Sequence, residues 1–130
     1  MSRENVELLR KALDAYNRHD LDAFLALMQE DVRATPRMAA VEGAYEGHDG
    51  IRRWWESTLA AFTDFGSEVF EVRDLGNLTL AELHNRGRGV AGGTPVEQES
   101  WHVAEWRDGK IAWWAAFPTE ADALEAAKRA

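Results

Sequence analysis

The chain has 130 residues, 45% hydrophobic and 29% charged, a composition that suits one globular domain and excludes a disordered chain. Its net charge of -8 argues against nucleic acid and anionic membrane surfaces, since both recruit clustered Lys and Arg. It has no cysteine for disulfide, thiolate or zinc chemistry, no apolar leader after Ser2-Arg3-Glu4-Asn5 and no apolar run near ~18 residues, so a cytoplasmic protein is expected.

No repeat, low-complexity tract or linker interrupts the sequence, and a single domain over residues 1–130 is expected. Ser2 can cap a first helix in which Val6, Leu9, Leu13 and Tyr16 recur at helical spacing, ending near Asn17-Arg18-His19. Asp20 then caps a short second helix, Leu21–Met28, with Phe24, Leu25 and Met28 apolar. A brief strand, Val32–Thr35, is stopped by Pro36. Arg37–Glu46 lacks periodicity and is predicted to be a loop, with room for a small strand around Met38–Val41.

Gly47-His48-Asp49-Gly50 opens a third helix, Ile51 to about Phe62, with Ile51, Trp54, Trp55, Thr58, Leu59 and Phe62 as its apolar stripe. His48-Asp49 is read as only a helix opening, where Asp suits the positive end of the dipole. Thr63–Gly66 ends this helix. Strands over Ser67–Asp74, Leu78–Arg88 and Val96–Trp106 follow, turned at Gly76-Asn77 and at Gly92-Gly93-Thr94-Pro95. Lys110–Phe117 is the last strand, and Thr119 caps a terminal helix with Asp122 at its third position. This order predicts an α+β fold: three N-terminal helices on a curved, mixed but mostly antiparallel sheet, with a short C-terminal helix.

Val96–Phe117 carries four of the 6 tryptophans, with His102 in the middle of its first strand. Alternation puts Gln98, Ser100, His102, Ala104 and Trp106 on one face. A two-residue Asp108-Gly109 turn would set His102 with Trp113 and Ala115; a three-residue loop would set it with Ala112, Trp114 and Ala116. The three-residue loop is favoured, because Arg107-Asp108 suits a turn centre and Gly109 a positive φ.

Three stretches carry a family resemblance: Tyr16-Asn17-Arg18-His19-Asp20-Leu21-Asp22, then Tyr45-Glu46-Gly47-His48-Asp49-Gly50-Ile51-Arg52-Arg53-Trp54-Trp55, then Arg86-Gly87-Arg88-Gly89 with Arg107-Asp108-Gly109-Lys110-Ile111. Together they resemble the SnoaL-like branch of the nuclear transport factor 2-like (NTF2-like) superfamily. The resemblance implies a cone-shaped pocket between helices and concave sheet, and a homodimer through the convex face. Ketosteroid isomerases of that superfamily use a tyrosine, an aspartate base and a protonated late aspartate. Those positions fall on Ala12, Pro36 and His102, and two of the three cannot do the chemistry. Glu82 and Arg86 match part of the Asp–Arg–Asp network of the superfamily's epoxide hydrolases.

His102 is the first candidate for proton transfer. Glu82 and His84 share a face of their strand with Leu78, Leu80 and Arg86; the family pattern implies that this face is inward, where Glu82, His84 and His102 would form an acid–base cluster. The alternative is an exposed Glu82–Arg86 ion pair. Tyr16, Trp54, Trp55, Gln98, Ser100 and Trp114 are the expected pocket lining, Tyr16 serving either the mouth or the packing. Trp101 and Trp113 point the other way, to a face that a dimer would cover. No metal-ligand spacing, nucleophile motif, phosphate loop or dinucleotide fingerprint is present, and no cofactor is expected. The expected partner is a small apolar molecule. Three readings stay open: an enzyme of isomerase, hydratase or cyclase type, a non-catalytic binder, and an accessory protein whose pocket is filled by its own tryptophans.

Overall fold

The computed structural model describes residues 2–36 and 44–129. Its elements run α1 (Ser2–Asn17), α2 (Leu21–Ala26), β1 (Met28–Thr35), β2 (Tyr45–Glu46), α3 (Gly47–Ala61), β3 (Phe62–Asp74), β4 (Leu78–Gly89), β5 (Pro95–Arg107), β6 (Lys110–Phe117) and α4 (Glu120–Arg129). The strands form one mixed, curved, unclosed sheet in the order β2-β1-β6-β5-β4-β3. The β1–β6 pair is parallel and the other pairs are antiparallel. A parallel pair needs a long connection, and here everything from β2 to β5 lies between the two strands.

Register shifts in β1, β3 and the β5–β6 hairpin bend the sheet, as an extra unpaired residue does. Its concave face receives α1, α2 and α3. Leu9, Leu13, Tyr16, Phe24, Trp54 and Trp55 of the helices meet Phe65, Leu83, Ala104 and Trp114 of the sheet in one core. Its convex face carries a smaller core, in which Ala123 of α4, 0% exposed, packs with Leu78, Leu80 and Val103, flanked by Trp101, Trp113 and Phe117. The tryptophan pair expected on a bare convex face is therefore half-buried beside a helix of its own chain.

The Tyr16–Asp22 motif is a structural clasp. The Asn17 amide accepts from the Ser67 backbone N–H at 2.7 Å and donates to its carbonyl at 2.8 Å, so it occupies the open edge of β3 as a neighbouring strand would. His19 sits at φ 58, closing α1 in the left-handed conformation, while the Asp20 N–H reaches the Ala15 carbonyl. The His19 ring stacks on Phe65 with centroids 4.1 Å apart, and its Nε2 hydrogen-bonds the Phe65 carbonyl at 3.0 Å. Asp20 caps α2 through the Ala23 N–H. His48 does more than open α3: its Nε2 hydrogen-bonds the Met28 carbonyl at 3.1 Å and ties the helix to β1.

Several boundaries differ from expectation. The second helix stops at Ala26, so Met28 begins β1, four residues ahead of the expected Val32. β3 starts at Phe62, and Thr63–Gly66, expected to end a helix, is strand with Asp64 at φ 52 in an irregular stretch. Tyr45-Glu46, placed in a loop, pairs with Arg33 and Ala34 of β1. The third helix begins at Gly47 rather than Ile51. Thr119 does cap α4, accepting from the Asp122 N–H. The small strand around Met38–Val41 lies outside the described residues, and the expected Ser2 cap rests on a side chain that is likewise outside what is described.

Candidate functional site

The concave side begins as an aromatic wall. Tyr16 of α1 stacks on Trp54 of α3, centroids 5.8 Å apart and rings 8° from parallel. Trp54 meets Trp114 of β6 edge-on at 5.6 Å, and Trp114 stacks against His102 of β5 at 5.5 Å and 11°. Burial pushes the Tyr16 phenol well above its ordinary pKa, because a phenolate there would lose its hydration. Alanines flank His102 on both neighbouring strands, Ala81 on β4 and Ala116 on β6, which leaves the imidazole room on the sheet.

Between this wall and the sheet lies a cavity of about 60 Å³. Its lining includes Leu9, Ala12, Leu13, Tyr16, Phe24, Met28, Pro36, Trp54, His102, Ala104, Ile111 and Trp114, with Ser67, Thr79 and Asn85 supplying hydroxyl and amide groups. Among the described residues, no Asp, Glu, Lys or Arg lines it. The polar groups are held in pairs: Ser67 Oγ donates to Asn85 Oδ1 at 2.6 Å, and Asn85 Nδ2 donates to Ser100 Oγ at 2.9 Å. Trp106 Nε1 donates to Thr79 Oγ1 at 3.0 Å. Buried side-chain atoms without a hydrogen-bond partner among the described residues are Gln98 Oε1 and Trp114 Nε1.

Of the expected site residues, His102, Tyr16, Trp54 and Trp114 meet at this cavity. Trp55 packs behind them against Phe65 and Phe24. Ser100, 0% exposed, sits under Asn85, while Gln98 is half-buried and pairs with Asn85 across β5 and β4; neither lines the cavity.

The expected acid–base cluster is not assembled. Thr79, Ala81, Leu83 and Asn85 are the concave residues of β4, so Glu82 and His84 stand on the convex face. His84 there faces Glu97 at 3.8 Å and lies beside Phe70. The expected orientation failed because each face of β4 carries two apolar residues; α4 claims Leu78 and Leu80, leaving the charged positions of that face beyond it. Arg86 is exposed, with its guanidinium against Gly66, and does not line the cavity.

The hairpin reached the expected face by a different route. Arg107 pairs with Lys110, so the turn is the two-residue Asp108-Gly109, with φ of 54 and 75, the geometry of a type I′ turn. A shift between Glu105 and Trp106 then leaves Ala112 without a partner, which restores His102 to Ala116 and Ala104 to Trp114.

The sequence model of the SnoaL-like domain matches residues 9–114. The chain belongs to the SnoaL-like family. Solved structures agree with this SnoaL-like fold. An NTF2-like protein of unknown function from Burkholderia pseudomallei is 20% identical with a TM-score of 0.80, covering 94% of this chain and 95% of that one. A putative SnoaL-like polyketide cyclase from Jannaschia is 17% identical with a TM-score of 0.77, over 97% of this chain and 92% of that one. A Mycobacterium tuberculosis protein in complex with estradiol-17beta-hemisuccinate is 16% identical with a TM-score of 0.78, over 91% and 95%. No curated protein matches the sequence.

Within this SnoaL-like cone, the three positions aligned with the isomerase residues all line the cavity, as Ala12, Pro36 and His102. Ser67, Thr79 and Asn85 were missed from sequence. Their signal was present: the face Thr79, Ala81, Leu83, Asn85 carries no charge, which marks it as the one that can be enclosed.

Proposed function

We propose that this SnoaL-like chain, folded as one domain, binds a small, largely apolar, uncharged molecule in the concave cavity. One observation carries the reading: among the described residues the cavity is walled by aromatic and aliphatic side chains and neutral hydroxyl and amide groups, with no charged Asp, Glu, Lys or Arg. An ionic ligand would lose its hydration there without a counter-charge. Solved structures of the same fold hold small molecules, polyporic acid in TerC and estradiol-17beta-hemisuccinate in the Mycobacterium tuberculosis protein, and this supports small-molecule binding by the chain.

Binding is favoured over chemistry by a carboxylate, because positions matched to the isomerase tyrosine and base are Ala12 and Pro36. A second reading rests on His102 alone. Its imidazole is a cavity wall, and it is the lining residue whose ordinary titration range falls near neutral pH. Proton transfer next to a ligand carbonyl is the reaction it suits.

Thermal unfolding with a panel of small neutral ketones, alcohols, carboxylates and amines tests the first reading. Neutral compounds at ten times Kd should stabilise by about 1.4 kcal/mol, and the charged ones should not. Equal stabilisation by carboxylates, or none by any neutral compound, would overturn it. For the second reading, deuterium exchange next to the carbonyl of acetone should be accelerated by the protein and lost in His102→Gln.

Homodimerisation through the convex face and a cytoplasmic setting belong to the same proposal. Phe70, 53% exposed, marks convex surface that sedimentation velocity would show to be covered in a dimer. No described helix is long and apolar enough to cross a membrane.

A further inference from the structure

We propose that the Trp114 indole N–H is the recognition donor of the cavity, so that the ligand presents it with a neutral hydrogen-bond acceptor, a carbonyl or ether oxygen. The proposal rests on the binding reading above and narrows it to a chemical class.

Trp114 is 6% exposed and forms a wall of the cavity. Its Nε1 has no hydrogen-bond partner among the described residues. A buried donor left so is uncommon, because the water it gave up is not replaced. Gln98 Oε1 is in the same position, but Gln98 is not a cavity wall. Trp106 shows that the sheet can satisfy an indole where nothing else will: its N–H donates to Thr79 Oγ1. Two indoles of one hairpin are thus treated differently, and the unsatisfied one belongs to a ring that lines the cavity.

The direction of that N–H is fixed. His102 stacks on one face of the ring, and Trp54 meets it edge-on. Turning the indole would give up both contacts, so the donor is held in place before any ligand arrives, which lowers the ordering cost of binding. An acceptor also suits the absence of charge among the described lining residues, since a neutral oxygen sheds its hydration more cheaply than a carboxylate. Size narrows the class further. An engineered cavity of about 150 Å³ takes benzene, and this one measures about 60 Å³. The occupant is a group of a few heavy atoms, either a whole small molecule or one end of a longer one.

The test is an NMR titration of the full-length ¹⁵N-labelled chain with acetone, isobutene and acetate, a ketone, a hydrocarbon and a carboxylate of about four heavy atoms each, the size this cavity admits. The 6 tryptophans give separate indole signals, assigned through ring correlations. Acetone should move the Trp114 indole proton downfield and bind about fivefold tighter than the hydrocarbon, the usual worth of a neutral hydrogen bond. The carboxylate should not bind. In Trp114→Phe, which keeps a ring and removes the donor, the ketone should fall to the hydrocarbon's affinity. If that variant does not fold, the wild-type titration decides alone. Equal binding of ketone and hydrocarbon, with Trp54 signals moving and the Trp114 indole still, overturns the donor role and leaves the binding reading standing. No response of any cavity signal to any probe overturns both.

Discussion

His84 and Asn85 are neighbours on β4, yet they live in different solvents. Asn85 is buried on the concave face, held between Ser67 and Ser100 and touching the cavity. His84 is on the convex face, half-exposed between Glu97 and Phe70. The same alternation divides all of β4: Thr79, Ala81, Leu83 and Asn85 face inward, while Glu82, His84 and Arg86 face outward with the α4 contact at Leu78 and Leu80. The described lining is uncharged because β4 places Glu82 and Arg86 on the other side, and this governs what the cavity can bind and what chemistry it can do.

The largest effect should come from the aromatic wall. Trp54→Ala removes a ring that touches Tyr16, Phe24, Trp55 and Trp114, and should cost about 3–5 kcal/mol in urea or guanidinium unfolding. A loss below about 1 kcal/mol would show the concave side to be loosely packed. The sharpest comparison is between the two neighbours. Asn85→Ala strands the Ser67 and Ser100 hydroxyls and should cost about 1–3 kcal/mol. His84→Ala on the convex face should stay within about 0.5 kcal/mol. Similar losses at both positions would break the contrast between faces.

A further effect is a pH dependence from Tyr16. Burial raises its phenol pKa above the unfolded value of about 10. Above that pH the unfolded chain releases a proton that the folded chain keeps, so this contribution is fully present below pH ~10 and is lost as pH rises. The slope is at most about 1.4 kcal/mol per pH unit. Urea midpoints at about pH 9 and 11 should diverge more for the native chain than for Tyr16→Phe; identical slopes would show that the phenol is not desolvated.

Local pattern fixed much of what is seen. Helical spacing in α1 and α3, the Asp20 and Thr119 caps, the Gly76-Asn77 and Gly92–Pro95 turns and the face shared by His102 and Ser100 follow from interactions within a few residues. The Tyr16–Asp22 motif was legible as a landmark, but its work is done by Asn17 and His19 on Ser67 and Phe65, some 46 to 50 residues away. The parallel β1–β6 pair and the strand at Phe62–Gly66 depend on partners far along the chain, which no local preference specifies.

The sequence by itself determined an α+β chain with an uncharged inner strip available on β4 and a histidine sharing a hairpin with tryptophans. Only the tertiary structure decided which faces met. Alternation and apolarity alone do not say which face is enclosed, because Leu78 and Leu80 are as apolar as Ala81 and Leu83; the missing charge on Thr79, Ala81, Leu83 and Asn85 marks a face that can be enclosed but not what encloses it. The choice fell to α4, packing Ala123 on the convex side and leaving Thr79 to Asn85 for the cavity. The hairpin needed its turn and its bulge together, a two-residue turn and an extra Ala112, to bring His102 beside Trp114. Either alone would have turned the imidazole and indole to opposite sides of the sheet.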